Sequence, residues 1–336
     1  MTSVILSVAK NLAFQKPKTL RLRLRVTIEV NWATCLTTIK GGNVMERIGF
    51  IGLGIMGEPM AGHVLKAGYP LTVYTRSKGK AERLISEGAV WVDSPQEVAK
   101  NSDIIITIVS DTPDVEQVIF GENGLEGGLS SGKIVIDMST ISAEATRGFA
   151  ERLAKQGVSL LDAPVSGGDI GAINATLTIM AGGDAAAFEK CVPLLKTMGT
   201  KVTHTGASGS GQATKMVNQI MSAACLIGVC EGLTLAAKEG LDLEQTIDII
   251  LGGNGASTQL KANGPKVAKG DFTPGFMLDL FIKDHNMVNK AQKSHAIGSP
   301  ITTNALKLAN AARDEFGGRE GTQSIAKILE KMNINV

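Results

Sequence analysis

Two hydrophobic patterns follow one another along this chain and change near residue 208. Before that point, short apolar runs alternate with amphipathic stretches, and the runs are continuous, as in strands that are covered on both faces. The runs lie in "GFIGLG", "LTVYTRS", "DIIITIVSD", "GKIVIDMST" and "VSLLDAPVSGG", and a strand–helix–strand set from "ATLTIM" to "KVTHTG" follows them. The pattern predicts an α/β fold, with a Rossmann-type doubly wound sheet over residues 45–208.

The second pattern, after Gly211, has helical periodicity and no convincing strand. The predicted helices cover residues 211–239, 243–252, 257–268, 278–297, 301–316 and 322–332. The first of them is apolar nearly all round beyond Lys215, so we expect a buried central helix. Residues 209–336 are therefore predicted to form an all-helical substrate and dimerisation domain, with the chemistry in the cleft between the two domains.

Composition agrees with two domains and excludes several classes of protein. The 336 residues are 43% hydrophobic and 20% charged, which is enough to bury two cores. The four cysteines form no CxxC pair and have no ligand-like spacing with the four histidines, so we expect no metal and reduced, buried thiols. No run of 18 apolar, uncharged residues occurs, so we expect no membrane span.

Charge is distributed unevenly. Residues 1–44 hold seven lysines and arginines and one acidic residue, whereas the rest of the chain holds 27 basic and 31 acidic residues, the balance of the 34 and 32 in the whole. A mildly acidic body argues against a nucleic-acid partner. The basic leader has three interpretations: a transit peptide, an added strand at "TLRLRLRVTIEV", or sequence upstream of the true start. We favour the last, because Met45 directly precedes a complete first strand and turn, and we expect residues 1–44 to be dispensable and no part of the fold.

A glycine-rich turn gives the first indication of chemistry. A GxGxxG motif follows the apolar run Ile48–Ile51 and precedes an amphipathic stretch that stops at Gly68. In this context the first glycine permits the tight turn, the second lets a pyrophosphate approach the backbone, and the third lets helix and strand pack closely. The helix N-terminus then offers N–H groups to the phosphates. We expect the whole turn to contact a dinucleotide: Gly52, Leu53, Gly54, Ile55, Met56 and Gly57.

The end of the second strand indicates which dinucleotide is preferred. An NAD site usually has Asp or Glu there for the ribose hydroxyl, but no carboxylate lies between Glu58 and Glu82. Thr75, Arg76 and Ser77 stand there instead, and an arginine fork between two hydroxyls suits a 2′-phosphate. The sequence therefore predicts a preference for NADPH, with NAD possible.

Other strand ends should line the same cleft, because ligands of open α/β sheets sit beyond the carboxyl ends of the strands. The ends of three further strands carry small or polar residues. These strand ends place residues 109–111, 139–140 and 166–168 along the cleft, and we expect Val109, Ser110 and Asp114 to contact the cofactor.

A lysine stands where helices usually avoid one. Lys215 begins the long apolar helix directly after "GASGSGQAT", so its cation faces the positive end of the helix dipole. Burial and the dipole both lower the pKa of such an amine, which brings proton donation nearer to neutral pH. A carbonyl that is being reduced needs one proton, and Lys215 is our candidate for the catalytic acid.

Four motifs together resemble a known family. The segments "GFIGLGIMG", "DAPVSGG", "GSGQATKMVNQ" and "FIKD" occur in the order seen in the β-hydroxyacid dehydrogenases, over about residues 46–332. By this resemblance Lys215 is the catalytic lysine, and Ser166, Gly167 and Gly168 hold the substrate carboxylate. It also implies that Asn218 or Gln219 bonds the substrate. Thr140 and Lys283 would then lie near the cofactor, with Asp284 orienting the loop and helix.

The resemblance implies reduction of a small 3-oxo acid to its hydroxy acid without a metal. Residues 252–260 and 272–284 look more like the tartronate semialdehyde reductases than like the mammalian-type 3-hydroxyisobutyrate enzymes, so glycerate is the expected product. Ser110, Met277 and the segment "GTQSIA" depart from the usual pattern. A 3-hydroxyisobutyrate dehydrogenase, a sugar-phosphate decarboxylase and a non-catalytic dinucleotide-binding module are the alternatives. We expect a cytoplasmic homodimer or homotetramer, or an organellar protein if residues 1–44 are a transit peptide.

Overall fold

A computed structural model of the chain describes residues 45–332. The predictions for residues 1–44, including the added strand, lie outside the described residues. The described residues belong to one compact unit, and the domain division near residue 208 stays a prediction.

One sheet of nine strands forms the first half of this unit. The strands are, in chain order, β1 Ile48–Ile51, β2 Leu71–Tyr74, β3 Val90–Trp91, β4 Ile104–Thr107, β5 Ile134–Asp137, β6 Ser159–Asp162, β7 Val165–Ser166, β8 Leu177–Gly182 and β9 Gly199–Gly206. Their spatial order is β3-β2-β1-β4-β5-β6-β8-β7, and β9 pairs with β8. Strands β1 to β6 pair in parallel, whereas β8 runs antiparallel to β6 and β7 and parallel to β9.

Helices cover both faces of the sheet, which confirms the doubly wound α/β prediction. They are α1 Gly57–Lys66, α2 Glu82–Ser86, α3 Pro95–Asn101, α4 Thr112–Phe120, α5 Ala143–Ala154, α6 Gly168–Ile173 and α7 Ala185–Leu195. Neighbouring residues of one strand enter different cores: Phe50 lies in one buried cluster and Ile51 in the cluster on the opposite face. Because both faces are buried, the strands read as continuous apolar runs.

The second half is helical, as the periodicity predicts. Its helices are α8 Ser210–Lys238, α9 Leu243–Leu251, α10 Thr258–Ala268, α11 Leu278–Ser294, α12 Pro300–Phe316 and α13 Ile325–Lys331. Strand-like pairing in this half is a single bridge between Met277 and Gly321 within the described residues. Small side chains of α12, such as Ala305 and Ala309, let it pack closely with α8 and α11 around a third core.

The prediction that α8 is a buried central helix is only partly right. One face packs on the sheet and on helices α10 to α13, but Val217, Met221 and Leu235 are 57%, 66% and 61% exposed. Helix α8 is also long and apolar enough to cross a membrane by length and composition alone, a test that core helices of soluble proteins also pass. The apolar pattern therefore reflects a helix that is only partly covered by its own chain.

The expectation that the cysteine thiols are buried is also only partly right. Cys191 and Cys230 are free and buried, and burial raises the pKa of each thiol to about 12. Cys225 is free but exposed, because it lies on the uncovered face of α8. Cys35 lies outside the described residues.

Candidate active site

The glycine turn between β1 and α1 has the geometry that a dinucleotide requires. Gly52 has φ +98°, and a side chain there would collide with the carbonyl of Ile108. A side chain at Gly57 would collide with the carbonyl of Gly52, so helix and strand need this glycine for their close packing. A Cβ at Gly54 would meet nothing within 4 Å among the described residues, so the turn leaves room for a pyrophosphate. The residues present fit the cofactor.

The other residues of this turn divide between the core and the solvent. Leu53 is buried, Met56 is partly buried, and Ile55 is 63% exposed. Val109, from the end of β4, lies against Gly52 and its N–H donates to Ser139 Oγ at 2.9 Å. The structure thus brings the predicted contacts of β1 and β4 together.

The predicted ribose-binding residues directly follow β2. Thr75 is buried, Ser77 is exposed, and the Arg76 side chain is 82% exposed. The Arg76 guanidinium lies 3.8 Å from the Asp114 carboxylate in the first turn of α4. A cation therefore stands at this strand end, with an acidic neighbour that the second-strand motif did not reveal.

Lys283 joins two loops of the sheet to the helical half. Its Nζ donates to the carbonyl of Ser110 at 2.8 Å and to the carbonyl of Thr140 at 2.7 Å. The same nitrogen lies 3.0 Å from Asp284 Oδ1. Three predicted cofactor contacts, Ser110, Thr140 and Lys283, therefore meet at one ammonium group although the first and the last are 173 residues apart.

Lys215 is buried on the first turns of α8, with 8% of its surface exposed. Its Nζ donates to the carbonyl of Val165 at 2.8 Å, next to Ser166. Burial lowers the pKa of this amine, the charge of Lys283 lowers it further, and the carboxylate of Asp284 opposes both. A buried amine with a lowered pKa is suited to exchanging a proton near neutral pH.

The segment after Val165 has an unusual backbone conformation. Ser166 ends β7 and is half-buried, and Gly167 and Gly168 have φ +137° and +63°. Positive φ at two successive positions favours glycine, because a side chain would strain this conformation. The hydroxyl and these N–H groups lie one to three residues beyond the carbonyl that holds Lys215.

Asn218 and Gln219 form a chain of amides rather than two free groups. Asn218 Nδ2 donates to Gln219 Oε1 at 3.0 Å, and Gln219 Nε2 donates to Asp284 Oδ2 at 2.7 Å. Asp284 is 3% exposed and so links Gln219 to Lys283. Of the two, Asn218 is half-buried and Gln219 buried.

Two buried polar residues of this region were missed from the sequence. Asp162, the last residue of β6, accepts hydrogen bonds from the N–H groups of Gly209 and Gln212. The Gln212 amide bridges the carbonyl of Ser139 and the N–H of Ile141. The sequence did carry a signal for both residues: Asp162 is a carboxylate at the end of an apolar strand, and Gln212 is an amide at the start of an apolar helix.

Two family models match consecutive parts of the chain. Residues 47–206 match the NAD binding domain of 6-phosphogluconate dehydrogenase. Residues 209–329 match the NAD-binding domain of NADP-dependent 3-hydroxyisobutyrate dehydrogenase. A nicotinamide dinucleotide is therefore the cofactor class.

Whole-chain comparisons give similar relatives. An uncharacterised oxidoreductase of Bacillus subtilis is 42% identical over 290 residues, which are 85% of this chain and 99% of the relative. The 2-hydroxy-3-oxopropionate reductase of Escherichia coli is 41% identical over 286 residues, 85% of this chain and 98% of the relative. A crystal structure of 3-hydroxyisobutyrate dehydrogenase from Salmonella typhimurium superposes with a TM-score of 0.78 at 29% identity, over 84% of this chain and 99% of that one.

Proposed function

The chain belongs to the β-hydroxyacid dehydrogenase family of NAD(P)-dependent enzymes, and from that premise we propose that it reduces tartronate semialdehyde to glycerate, with NADPH preferred. The observation that carries this proposal is the buried Lys215 amine, held at 2.8 Å from the Val165 carbonyl beside the Ser166–Gly168 segment. The 41% identity to the Escherichia coli 2-hydroxy-3-oxopropionate reductase supports the choice of substrate.

Lys215 acts as the general acid in this proposal. The nicotinamide, when bound, supplies the hydride that reduces the aldehyde carbon. As the carbonyl oxygen gains charge, the Lys215 ammonium donates one proton to it and becomes a neutral amine, which takes a proton back from water. Burial assists this transfer because it lowers the pKa of Lys215, while the carboxylate of Asp284 opposes that shift and favours the cation. In the oxidative direction the neutral amine is the base.

The Ser166–Gly168 segment is proposed to hold the substrate carboxylate. A hydroxyl and two N–H groups at positive-φ glycines are donors that suit an anion. With the carboxylate fixed there, an acid whose carbonyl lies one carbon further away is aligned with Lys215. We propose Asn218 as the amide that bonds the substrate hydroxyl, since both polar atoms of the Gln219 amide already have partners, Asn218 at Oε1 and Asp284 at Nε2.

The cofactor preference rests on Arg76. A planar guanidinium donates two parallel hydrogen bonds to a phosphate, and its 82% exposure leaves it accessible to a 2′-phosphate. The match of residues 209–329 to a domain of an NADP-dependent enzyme agrees with this preference.

A 3-hydroxyisobutyrate dehydrogenase is the second candidate, favoured by the same domain match and by the superposition on the Salmonella enzyme. The same lysine and carboxylate site would serve a methyl-bearing substrate. Comparing kcat/KM for the two aldehydes decides between them, and we expect tartronate semialdehyde to be preferred.

The test of the mechanism is Lys215→Met. We expect kcat to fall at least about a thousandfold, because the proton donor is lost, while the Kd for NADPH stays within about threefold. Lys238→Met, at the exposed opposite end of the same helix, is the matched control and should retain parent activity. Retained turnover in Lys215→Met would contradict the proposal.

The pH profile gives an independent test of the same group. Reduction requires the ammonium, so its rate falls as pH rises through the pKa of Lys215, at a lower pH than for an ordinary lysine. Oxidation requires the amine, so its rate rises with pH through the same value. Opposite signs in the two directions are the expected result.

Self-association is proposed through the uncovered face of α8. Val217, Met221 and Leu235 are exposed on this helix, and Cys225 shares their side. An apolar face of this length is stabilised when a second copy covers it. Light scattering should give a homodimer or homotetramer, and Met221→Glu should shift it towards the monomer.

A further inference from the structure

A buried carboxylate occupies the N-terminus of the helix that carries Lys215. Asp162, at 0% exposure, accepts the N–H of Gly209 at 2.8 Å on Oδ1 and the N–H of Gln212 at 2.9 Å on Oδ2. Gly209 is the residue that precedes α8, and Gln212 lies in its first turn. Both carboxylate oxygens therefore bind backbone groups that an α-helix leaves without partners at its start.

Two glycines make this approach possible. A Cβ at Gly182 would lie 2.7 Å from Asp162 Oδ1 and 2.8 Å from the nitrogen of Gly211. A Cβ at Gly211 would lie 2.9 Å from Asp162 Oδ2 and would collide with the carbonyl of Met180. No larger residue fits at either position without moving the helix, so the sheet and the first turn of α8 are in direct backbone contact.

The side chain of Gln212 fixes the same turn to a second loop. Its Nε2 donates to the carbonyl of Ser139 at 2.8 Å, and its Oε1 accepts the N–H of Ile141 at 3.1 Å. Between these two partners lies Thr140, whose carbonyl accepts from Lys283. The first turn of α8 is therefore held from the end of β6 and from the loop after β5.

We infer that Asp162 is the positioning residue of Lys215, because its carboxylate fixes the rotation and the height of α8 over the sheet. This inference rests on the proposed role of Lys215. Lys215 lies three residues after Gln212, and its amine reaches Val165, three residues after Asp162. Each residue of a helix adds 1.5 Å of rise and about 100° of rotation, so a small slide of α8 moves the amine out of its place.

Burial raises the pKa of Asp162, and the N–H groups of Gly209 and Gln212 oppose this shift because they bond the carboxylate form. The charge of that carboxylate also helps to position α8. An anion at a helix N-terminus interacts favourably with the dipole, and hydrogen bonds to a carboxylate are shorter and stronger than those between neutral groups. A lysine early in a helix is unfavourable with respect to that dipole, and the carboxylate offsets this cost. Asp162 thus explains how α8 tolerates a buried cation in its first two turns.

The experiment compares Asp162→Asn with Asp137→Asn. The two aspartates are register partners in β5 and β6, and both are buried. Asp137 bonds Thr107 Oγ1 at 2.9 Å and the N–H of Ser139 at 3.2 Å, and none of its partners within the described residues belongs to α8. The two aspartates therefore match in burial and chemistry, but Asp162 bonds α8 directly, whereas Asp137 reaches it only through Ser139. The amide oxygen of Asp137→Asn can still accept the Ser139 N–H, so that variant leaves the link to Gln212 in place.

We expect Asp162→Asn to lower kcat for the better of the two aldehydes by about a hundredfold, because displacement of a catalytic group by about 1 Å has an effect of that size. The Kd for NADPH should stay within about threefold. The solvent deuterium isotope effect on kcat should rise, because a displaced acid makes proton transfer slower than the other steps. Asp137→Asn should keep kcat within about threefold and keep the parent isotope effect.

Several results would overturn the inference. Parent kcat in Asp162→Asn would do so, and so would equal losses in both variants, or a lower kcat with an unchanged isotope effect, which indicates less folded enzyme rather than a displaced acid. If Asp162→Asn does not fold, Asp162→Ser replaces it. The serine hydroxyl carries no charge and can accept only one of the two backbone N–H groups, so we expect kcat to fall by about a hundredfold with the same rise in the isotope effect, and parent values would contradict us. Full activity of Lys215→Met would refute the proposed function itself, which is a separate outcome.

Discussion

Two helix N-termini lie at the carboxyl ends of parallel strands, and they differ in whether a side chain of the protein bonds their free N–H groups. Helix α1 follows β1 through the glycine turn, no side chain within residues 45–332 caps it, and the space beside Gly54 is open. Helix α8 begins beside the last residue of β6, and the Asp162 carboxylate binds its first N–H groups. One positive helix end is left available, whereas the other already has an anion.

This difference between the two helix ends suits them to different roles, ligand binding at α1 and positioning of Lys215 at α8. An available N-terminus with room in front of it can receive the pyrophosphate of a dinucleotide that comes and goes. An N-terminus neutralised by an internal carboxylate cannot bind such a ligand, but it holds its helix at one height. The same backbone physics thus gives a ligand site at α1 and a fixed support for Lys215 at α8.

The largest effect on stability should come from adding a side chain at Gly211, where the first turn of α8 touches the sheet. We expect Gly211→Ala to destabilise the protein by about 3 kcal/mol, because its Cβ would meet the carbonyl of Asp162 at 2.5 Å and collide with that of Met180. Urea unfolding measures this change. Gly148→Ala, at an exposed helical glycine with open space around it, is the control and should be neutral or slightly stabilising. Equal stability of the two variants would show that the close packing of α8 against the sheet does not require a glycine at position 211.

A substitution in the glycine turn should have the opposite result, changing cofactor affinity but not stability. Gly54→Ala should leave the free energy of unfolding unchanged within about 0.5 kcal/mol, since a Cβ there meets no atom within 4 Å. It should nevertheless weaken NADPH binding by about thirtyfold or more, because the methyl group takes the space that the pyrophosphate needs. Cofactor fluorescence titration measures the Kd. Parent affinity would mean that the dinucleotide does not lie against this turn.

Local signals predicted much of the fold and part of the site. The glycine turn follows its strand directly, and Lys215 stands out because it opens an apolar helix, so both could be identified within a short window. The bond between Asp162 and Gly209 spans 47 residues, and hydrophobic periodicity says which residues are buried, not which buried polar groups meet. The pairing of Lys283 with Ser110 was hidden for the same reason.

The misjudged burial of α8 has another cause. Its sequence is apolar nearly all round, which is typical of a helix surrounded by its own chain. A face that a second copy covers has the same composition, so the pattern does not distinguish Met221, which is exposed, from Leu226, which is buried. Burial by a partner and burial by the fold look alike in one sequence.

Arg76→Ala should reduce the ratio of kcat/KM for NADPH over NADH by about tenfold or more, because the proposed partner of the 2′-phosphate is lost.

The smallest effect concerns Asp114, the acidic neighbour of Arg76. Asp114→Asn should raise NADPH affinity by only about two- to threefold, since removing a screened like charge helps a phosphate slightly. In the Arg76→Ala background the same change should raise it again, by a similar factor, if the carboxylate repels the phosphate directly. Glu116→Gln, on the same helix but beside Arg152, is the control and should leave the affinity for both cofactors unchanged. A gain for NADH equal to that for NADPH would place Asp114 outside the discrimination between the two cofactors.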